Sequence, residues 1–235
     1  MAIKLSESKK QFYIAYIDLL ASVLNGKEPP ELPDNFNWEY CCRYAQRNSV
    51  ANMIAYSIDK VNVKPSDTVA AVMENDRRYH IIKETSQLVD VEKVIERCEK
   101  EGIKNVPLKG YFMKQLYPRS DFRTMTDVDI LVERKNIKKI ERIFLDLDFD
   151  KKDVIKSTEV HFVKGLLYCE VHNDLNENFD SYYNGVWDRV ELRDGFSFSY
   201  SMKPEDFYIY MVYHAAKHFS NGGIGVRMVM DAYVC

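Results

Sequence analysis

The sequence predicts an α+β fold, a mixed sheet with flanking helices, preceded by a helical N-terminal region and followed by C-terminal helices. Three observations carry that expectation. Apolar residues up to about residue 101 recur at three- and four-residue intervals, without the alternation that marks strands. From Ile103 short β-branched runs alternate with amphipathic helical stretches. From Pro204 the helical period returns. The expected regions are therefore a helical 1–101, a mixed core 102–202 and C-terminal helices 203–235.

The first helix is expected to bury Phe12, Ile14, Ile17, Leu20, Ala21 and Leu24, and to end at Asn25-Gly26. After the loop with Pro29, Pro30 and Pro33, Asp34 or Asn35 would cap a second helix carrying Trp38, Tyr40 and Tyr44. Residues 52–58 form a further apolar stretch. From Ser66 or Asp67 a helical pattern through Val69, Met73, Ile82, Val91 and Cys98 runs to Gly102, as one long helix or two.

In the core, residues 103–108 read as a strand, 111–117 as a helix, 126–133 as a strand and 136–147 as an amphipathic helix. Runs at 150–155, 159–164 and 166–172 are β-like, with a turn at Lys164-Gly165, whereas 176–187 has no clear period. Residues 190–200 hold two short strands about Asp194-Gly195. Pro204 opens a helix whose expected stripe is Phe207, Tyr208, Met211, Val212, Ala215 and Phe219. A last helix follows the turn at 222–225, with Val226, Met228, Val229, Ala232 and Tyr233. Its pattern is still running at Cys235, which reads as a longer protein cut short.

A chain of 235 residues has room for one large domain or two small ones. With 46% hydrophobic residues, 29% charged residues and a net charge of -3, it has no overall bias toward nucleic acid or membrane. A long nucleic-acid partner is mildly disfavoured. Five cysteines, an odd number with no C-x-x-C spacing, argue against a disulfide framework or a zinc site and for a cytoplasmic setting. The first residues, MAIKLSESKKQF, hold no continuous apolar run, and no stretch has the length needed to cross a bilayer.

The chemistry concentrates in residues 106–132, VPLKGYFMKQLYPRSDFRTMTDVDILV. On a strand, Asp127 and Asp129 project from the same face. Two carboxylates that close repel unless a cation lies between them, and a hard, oxygen-seeking ion such as Mg²⁺ suits the position. Lys109-Gly110 lies between an apolar run and a helix, a turn where glycine permits close backbone approach and the helix start favours an anion. Glu170 and His172 share one face of their strand. His214 and His218 have the spacing of a helical zinc pair, but Ala215 stands where a metalloprotease needs glutamate. They are left as histidines of a helical seam or as phosphate or substrate contacts.

Leu108-Lys109-Gly110, then YPRSDFR at 117–123, DVDIL at 127–131 and EVH at 170–172 together resemble the nucleotidyltransferases of the polymerase-β-like superfamily. The likeness is greatest to its group of uncharacterised nucleotidyltransferases. The resemblance implies that fold, with Asp127, Asp129 and Glu170 as the catalytic, metal-holding carboxylates. It implies Lys109, Gly110, Arg123, His214 and His218 as nucleotide or phosphate contacts, and a last helix bearing Arg227 and Asp231. It also implies two Mg²⁺ ions, with Mn²⁺ as an alternative, and transfer of a nucleoside monophosphate from an NTP to an acceptor hydroxyl with release of pyrophosphate. The acceptor would be a small molecule, a protein or an RNA end. Tyr111 departs from the pattern, because many relatives carry serine after the glycine. A degenerate nucleotide-binding module and a toxin or antitoxin component are the alternatives on the same fold.

Overall fold

A computed structural model describes residues 6–152, 158–175, 181–220 and 222–235. They fall in two compact units. The first comprises residues 6–82, Tyr117–Thr124 and Gly225–Arg227. The second holds Lys83–Leu116, most of Met125–Ile224, and Met228–Cys235.

In the first unit, α1 (Glu7–Leu24) starts at Ser6, whose hydroxyl accepts from the Lys9 amide, and ends at Asn25 with Gly26 at φ +62°. Its buried face is Tyr16, Leu19, Leu20 and Leu24, whereas Ile14 and Ile17 are each 53% exposed and Ala21 is exposed. Leu20 and Leu24 are therefore buried as expected, but the N-terminal half of the face is rotated toward Tyr16 and Leu19. The helix is apolar around much of its circumference, so periodicity alone fixes no phase, and the rings decide it. Phe12 stacks on Phe36 at 5.5 Å, and Tyr16 meets Tyr44 edge-on at 5.1 Å. α2 (Trp38–Arg47) is capped by Asn37, not Asp34 or Asn35, because the Asn37 side chain accepts from the Tyr40 amide at 2.8 Å. α3 (Ala51–Ala55) buries Asn52, which donates to the Asp121 carbonyl. The Asp121 carboxylate accepts from Tyr56 Oη at 2.7 Å and Arg119 Nε at 3.1 Å. α4 (Asp67–Lys100) is one continuous helix of 34 residues, and the first unit ends within it.

The second unit is built on a five-stranded sheet in the order β1-β2-β5-β4-β3. These strands are β1 (Asn105–Pro107), β2 (Val128–Val132), β3 (Asp150–Lys152), β4 (Glu159–Lys164) and β5 (Leu167–His172). β2 and β5 run parallel; every other pair is antiparallel. The β4–β5 hairpin turns at Gly165, at φ +55°. Alternation then assigns the faces. Val128, Ile130, Val132, Phe162, Cys169 and Val171 turn to one side and are almost wholly buried. They pack with Val91, Val94, Ile95 and Cys98 of α4 and Ile140, Ile143 and Phe144 of α6 (Ile137–Asp146). Phe144 stacks on Phe162 with centroids 4.2 Å apart. Each such side chain contributes about 1.5–3 kcal/mol on burial, so this layer carries much of the unit's stability.

β6 (Val190–Leu192) and β7 (Tyr200–Met202) form a separate hairpin, tied to β1 through the Asn105–Ser199 bridge. α5 (Lys109–Leu116) follows β1 directly. In α7 (Pro204–Ser220) the buried residues are Asp206, Phe207, Tyr210 and Met211, whereas Tyr208, Val212 and Phe219 are 47%, 47% and 69% exposed. Phe207 and Met211 of the expected stripe are therefore buried, whereas Tyr208, Val212 and Phe219 are not, because this helix too is apolar around much of its circumference. α8 (Val226–Val234) buries Met230 and Asp231, and leaves Val229 and Tyr233 exposed. The run expected at 150–155 is strand to Lys152; residues 153–157 and 176–180 lie outside the described residues. Among the described residues no helix is long and apolar enough to cross a membrane. All five cysteines are free.

Candidate active site

The opposite face of the same sheet carries ionisable groups. Asp129 of β2 stands directly across from Glu170 of β5. His172, two residues on, shares that face. Asp129 is only 2% exposed. Its Oδ1 lies 3.0 Å from His172 Nε2 and its Oδ2 lies 3.3 Å from Lys109 Nζ. Burial pushes the Asp129 carboxyl up, but the His172 hydrogen bond and the Lys109 charge outweigh it and hold the pKa at about 2. Glu170 is raised, by burial and then by the negative charges of Asp129 and Asp127. His172 is lowered by burial and raised more by Asp129, for a net upward shift.

The strand-to-helix junction places the cation. Leu108 donates its amide to the Asp129 carbonyl at 2.8 Å, which registers the end of β1 on β2. Lys109 and Gly110 then form the first turn of α5. A Cβ on Gly110 would lie 2.9 Å from the Asp127 carbonyl oxygen and 3.3 Å from Met125 Sδ, so only glycine fits. Tyr111 is 7% exposed, sits in the apolar core, and accepts from Arg193 at 3.2 Å. Lys109 Nζ also lies 3.2 Å from His214 Nε2. An ammonium can only donate, so that nitrogen accepts and the ring proton resides on Nδ1. Burial and the Lys109 charge lower His214 to about 3. His218 packs edge-on to His214 at 4.5 Å between centroids. Tyr210, buried on the same helix, stays a neutral phenol, its pKa raised by burial and by the charge of Asp129.

The structure therefore brings Asp129, Glu170, Lys109, Gly110 and His214 together, with His218 beside His214. Asp127 is half-buried just before β2, which is shorter than the expected strand, and its charge reaches Glu170. One of two tight donor groups among the described residues is Asp129, Glu170 and His172, whose ligand atoms lie within 4.8 Å of one another. His172 thus belongs to this donor group, although no role follows for it from the sequence alone. Arg123 is buried in the first unit. The donor group fits a divalent cation. It combines two carboxylates and an imidazole, and buried Asp129 Oδ2, in its ion pair with Lys109, accepts no well-directed hydrogen bond from the described residues.

The mixed sheet with its flanking helices is the fold of nucleotidyltransferases of the polymerase-β-like type. The chain belongs to the family described as uncharacterised nucleotidyltransferase, whose profile matches residues 34–235, and it is a transferase. In fold it is similar to the solution structure of the antibiotic-resistance factor ANT(2'')-Ia. That match has 10% identity and a TM-score of 0.51, over 64% of this chain and 83% of that one. The crystal structure of ANT(2'')-Ia with adenylyl-2''-tobramycin matches at 10% identity and a TM-score of 0.48, over 63% of this chain and 87% of that one. No curated protein matches the chain in sequence.

Proposed function

We propose that the chain transfers a nucleoside monophosphate from an NTP to an acceptor hydroxyl, releasing pyrophosphate, with Asp129 and Glu170 as its central acidic pair. The observation that carries the reading is the register of Asp129 against Glu170 with the Lys109 ammonium 3.3 Å from Asp129. The bond from the acceptor oxygen to the α-phosphorus forms as the bond to pyrophosphate breaks, and Glu170 takes the hydroxyl proton. Asp127, Asp129 and Glu170 would hold Mg²⁺ or Mn²⁺, with His172 orienting Asp129 through its hydrogen bond; the ion when bound neutralises triphosphate charge and acidifies the acceptor hydroxyl.

The chain's own contribution is positioning. Lys109 supplies a fixed positive charge for the phosphates, held from behind by neutral His214, with His218 next to it. Gly110 lets the junction close on the acidic loop. Arg123 is assigned to the triphosphate on its sequence motif. Small-molecule hydroxyls are the first acceptors to screen, since the fold is shared with an antibiotic-resistance factor.

The test is thermal stability with each of ATP, CTP, GTP and UTP, with and without Mg²⁺ or Mn²⁺, on wild type and Asp129→Asn. A ligand that binds only folded protein adds about 2.7 kcal/mol at a hundredfold excess over its Kd. The expected result is a metal-dependent rise with one nucleotide, lost in Asp129→Asn while the fold is retained. A rise that survives the substitution would falsify the assignment of Asp129.

A further inference from the structure

The tripeptide Glu-Val-His occurs twice, at 159–161 and at 170–172. β4 and β5 pair these copies antiparallel, with Glu159 opposite His172 and His161 opposite Glu170. Each glutamate therefore faces the other copy's histidine, on the acidic face, while Val160 and Val171 turn to the core. Glu159 Oε1 lies 3.3 Å from His161 Nε2, and Glu159 Oε2 lies 3.7 Å from His172 Nδ1. The ligand atoms of Glu159, His161 and Glu170 lie within 4.8 Å of one another, a second donor group that shares only Glu170 with the first.

The His161 ring is oriented through its other nitrogen, since Nδ1 lies 2.6 Å from the Tyr168 hydroxyl. Nε2 is thereby aimed into the group. It is shut off from solvent and, among the described residues, makes no hydrogen bond, although a carboxylate oxygen stands beside it. A nitrogen and a carboxylate so placed are held together by a proton or by a cation. Lys152, opposite His161 on the edge strand, is exposed.

We propose that Glu159, His161 and Glu170 form a second divalent-cation site, selective for a borderline ion such as Zn²⁺ over Mg²⁺. Selectivity comes from the imidazole donor, because nitrogen ligands suit Zn²⁺ whereas Mg²⁺ takes oxygen and keeps its waters. Tyr168 is a positioning residue for this site, since the partner of a ligating histidine's second nitrogen fixes ring orientation. The proposal rests on the nucleotidyltransferase reading only in sharing Glu170.

The experiment is equilibrium dialysis of the untagged, chelator-stripped chain against Zn²⁺ in excess Mg²⁺, with metal and protein both quantified. His161→Phe is expected to bind one Zn²⁺ fewer than wild type, and Tyr168→Phe to bind the same number with one site about 10–100-fold weaker. Glu159→Gln, nearly isosteric, should also lose one ion, and it keeps the test decisive if His161→Phe fails to fold. Equal stoichiometry and affinity in wild type and Glu159→Gln would overturn the proposal and leave a proton between the two groups. The same samples receive the nucleotide thermal scan. Loss of the nucleotide response with zinc binding as expected overturns the transfer reading alone, whereas a nucleotide response with no ion lost in the variants overturns this site alone.

Discussion

The two faces of the five-stranded sheet come from the same strands, residue by residue in alternation, yet they do opposite work. On one, Val128, Ile130, Phe162, Cys169 and Val171 are excluded from water and interlock with α4 and α6. On the other, Asp129, Glu170, His172, Glu159 and His161 are pressed nearly as close, with like charges adjacent. The first face gains free energy from burial; the second spends some of it to hold carboxylates that shift one another's pKa values. Stability and chemistry are thus separated by a step of one residue along a strand, and a substitution's effect should depend on which face it meets.

The largest effect on stability is expected at Phe162→Ala, which empties the ring stacked on Phe144. The loss should be about 3–5 kcal/mol by urea denaturation. A loss under about 1 kcal/mol would break the contrast between the faces. On the acidic face Glu170→Gln should act in the other sense. Burial and then the charges of Asp129 and Asp127 raise the Glu170 pKa in the folded chain, so its ionised form is disfavoured there. With chelator at neutral pH the variant is expected to be at least as stable as wild type, while divalent-ion binding falls. A clear drop in its denaturation midpoint would contradict the repulsion described here.

The smallest effect is a pH slope from His214. Its folded pKa of about 3 lies below the ordinary 6.5, so between these values the unfolded chain holds a proton that the folded chain lacks. Its contribution to stability is therefore complete above pH 6.5 and lost as pH falls toward 3. His214→Gln should show a shallower decline than wild type across that window. Parallel denaturation curves would mean that His214 is not held neutral by burial and Lys109.

Much of the sheet was legible because period two carries its own phase. Once DVDIL and YCEVH read as strands, which residues share a face follows. The helices gave less. α1 and α7 present apolar residues almost all around, so the pattern revealed their existence but not which side is covered, and Ile14, Ile17, Tyr208 and Val212 came out exposed. The site was legible where it lies within one short segment. Lys109, Gly110 and Asp129 could be read from local motifs, and the packing of Gly110 on the Asp127 carbonyl gives that glycine a physical reason. His161 and Glu159 could not, since their relation to Glu170 exists only through the β4–β5 register. The doubled Glu-Val-His was the available signal. It becomes informative only when the two copies are read as the arms of a hairpin.

The Gly110 contact acts as a gauge. With the Asp127 carbonyl oxygen 2.9 Å from where any side chain would begin, the junction and the acidic loop are seated against each other with no slack. Whatever displaces one must displace the other. The spacing between the cationic end of the site and its carboxylates is therefore set by backbone alone, at a point that contributes no functional group of its own.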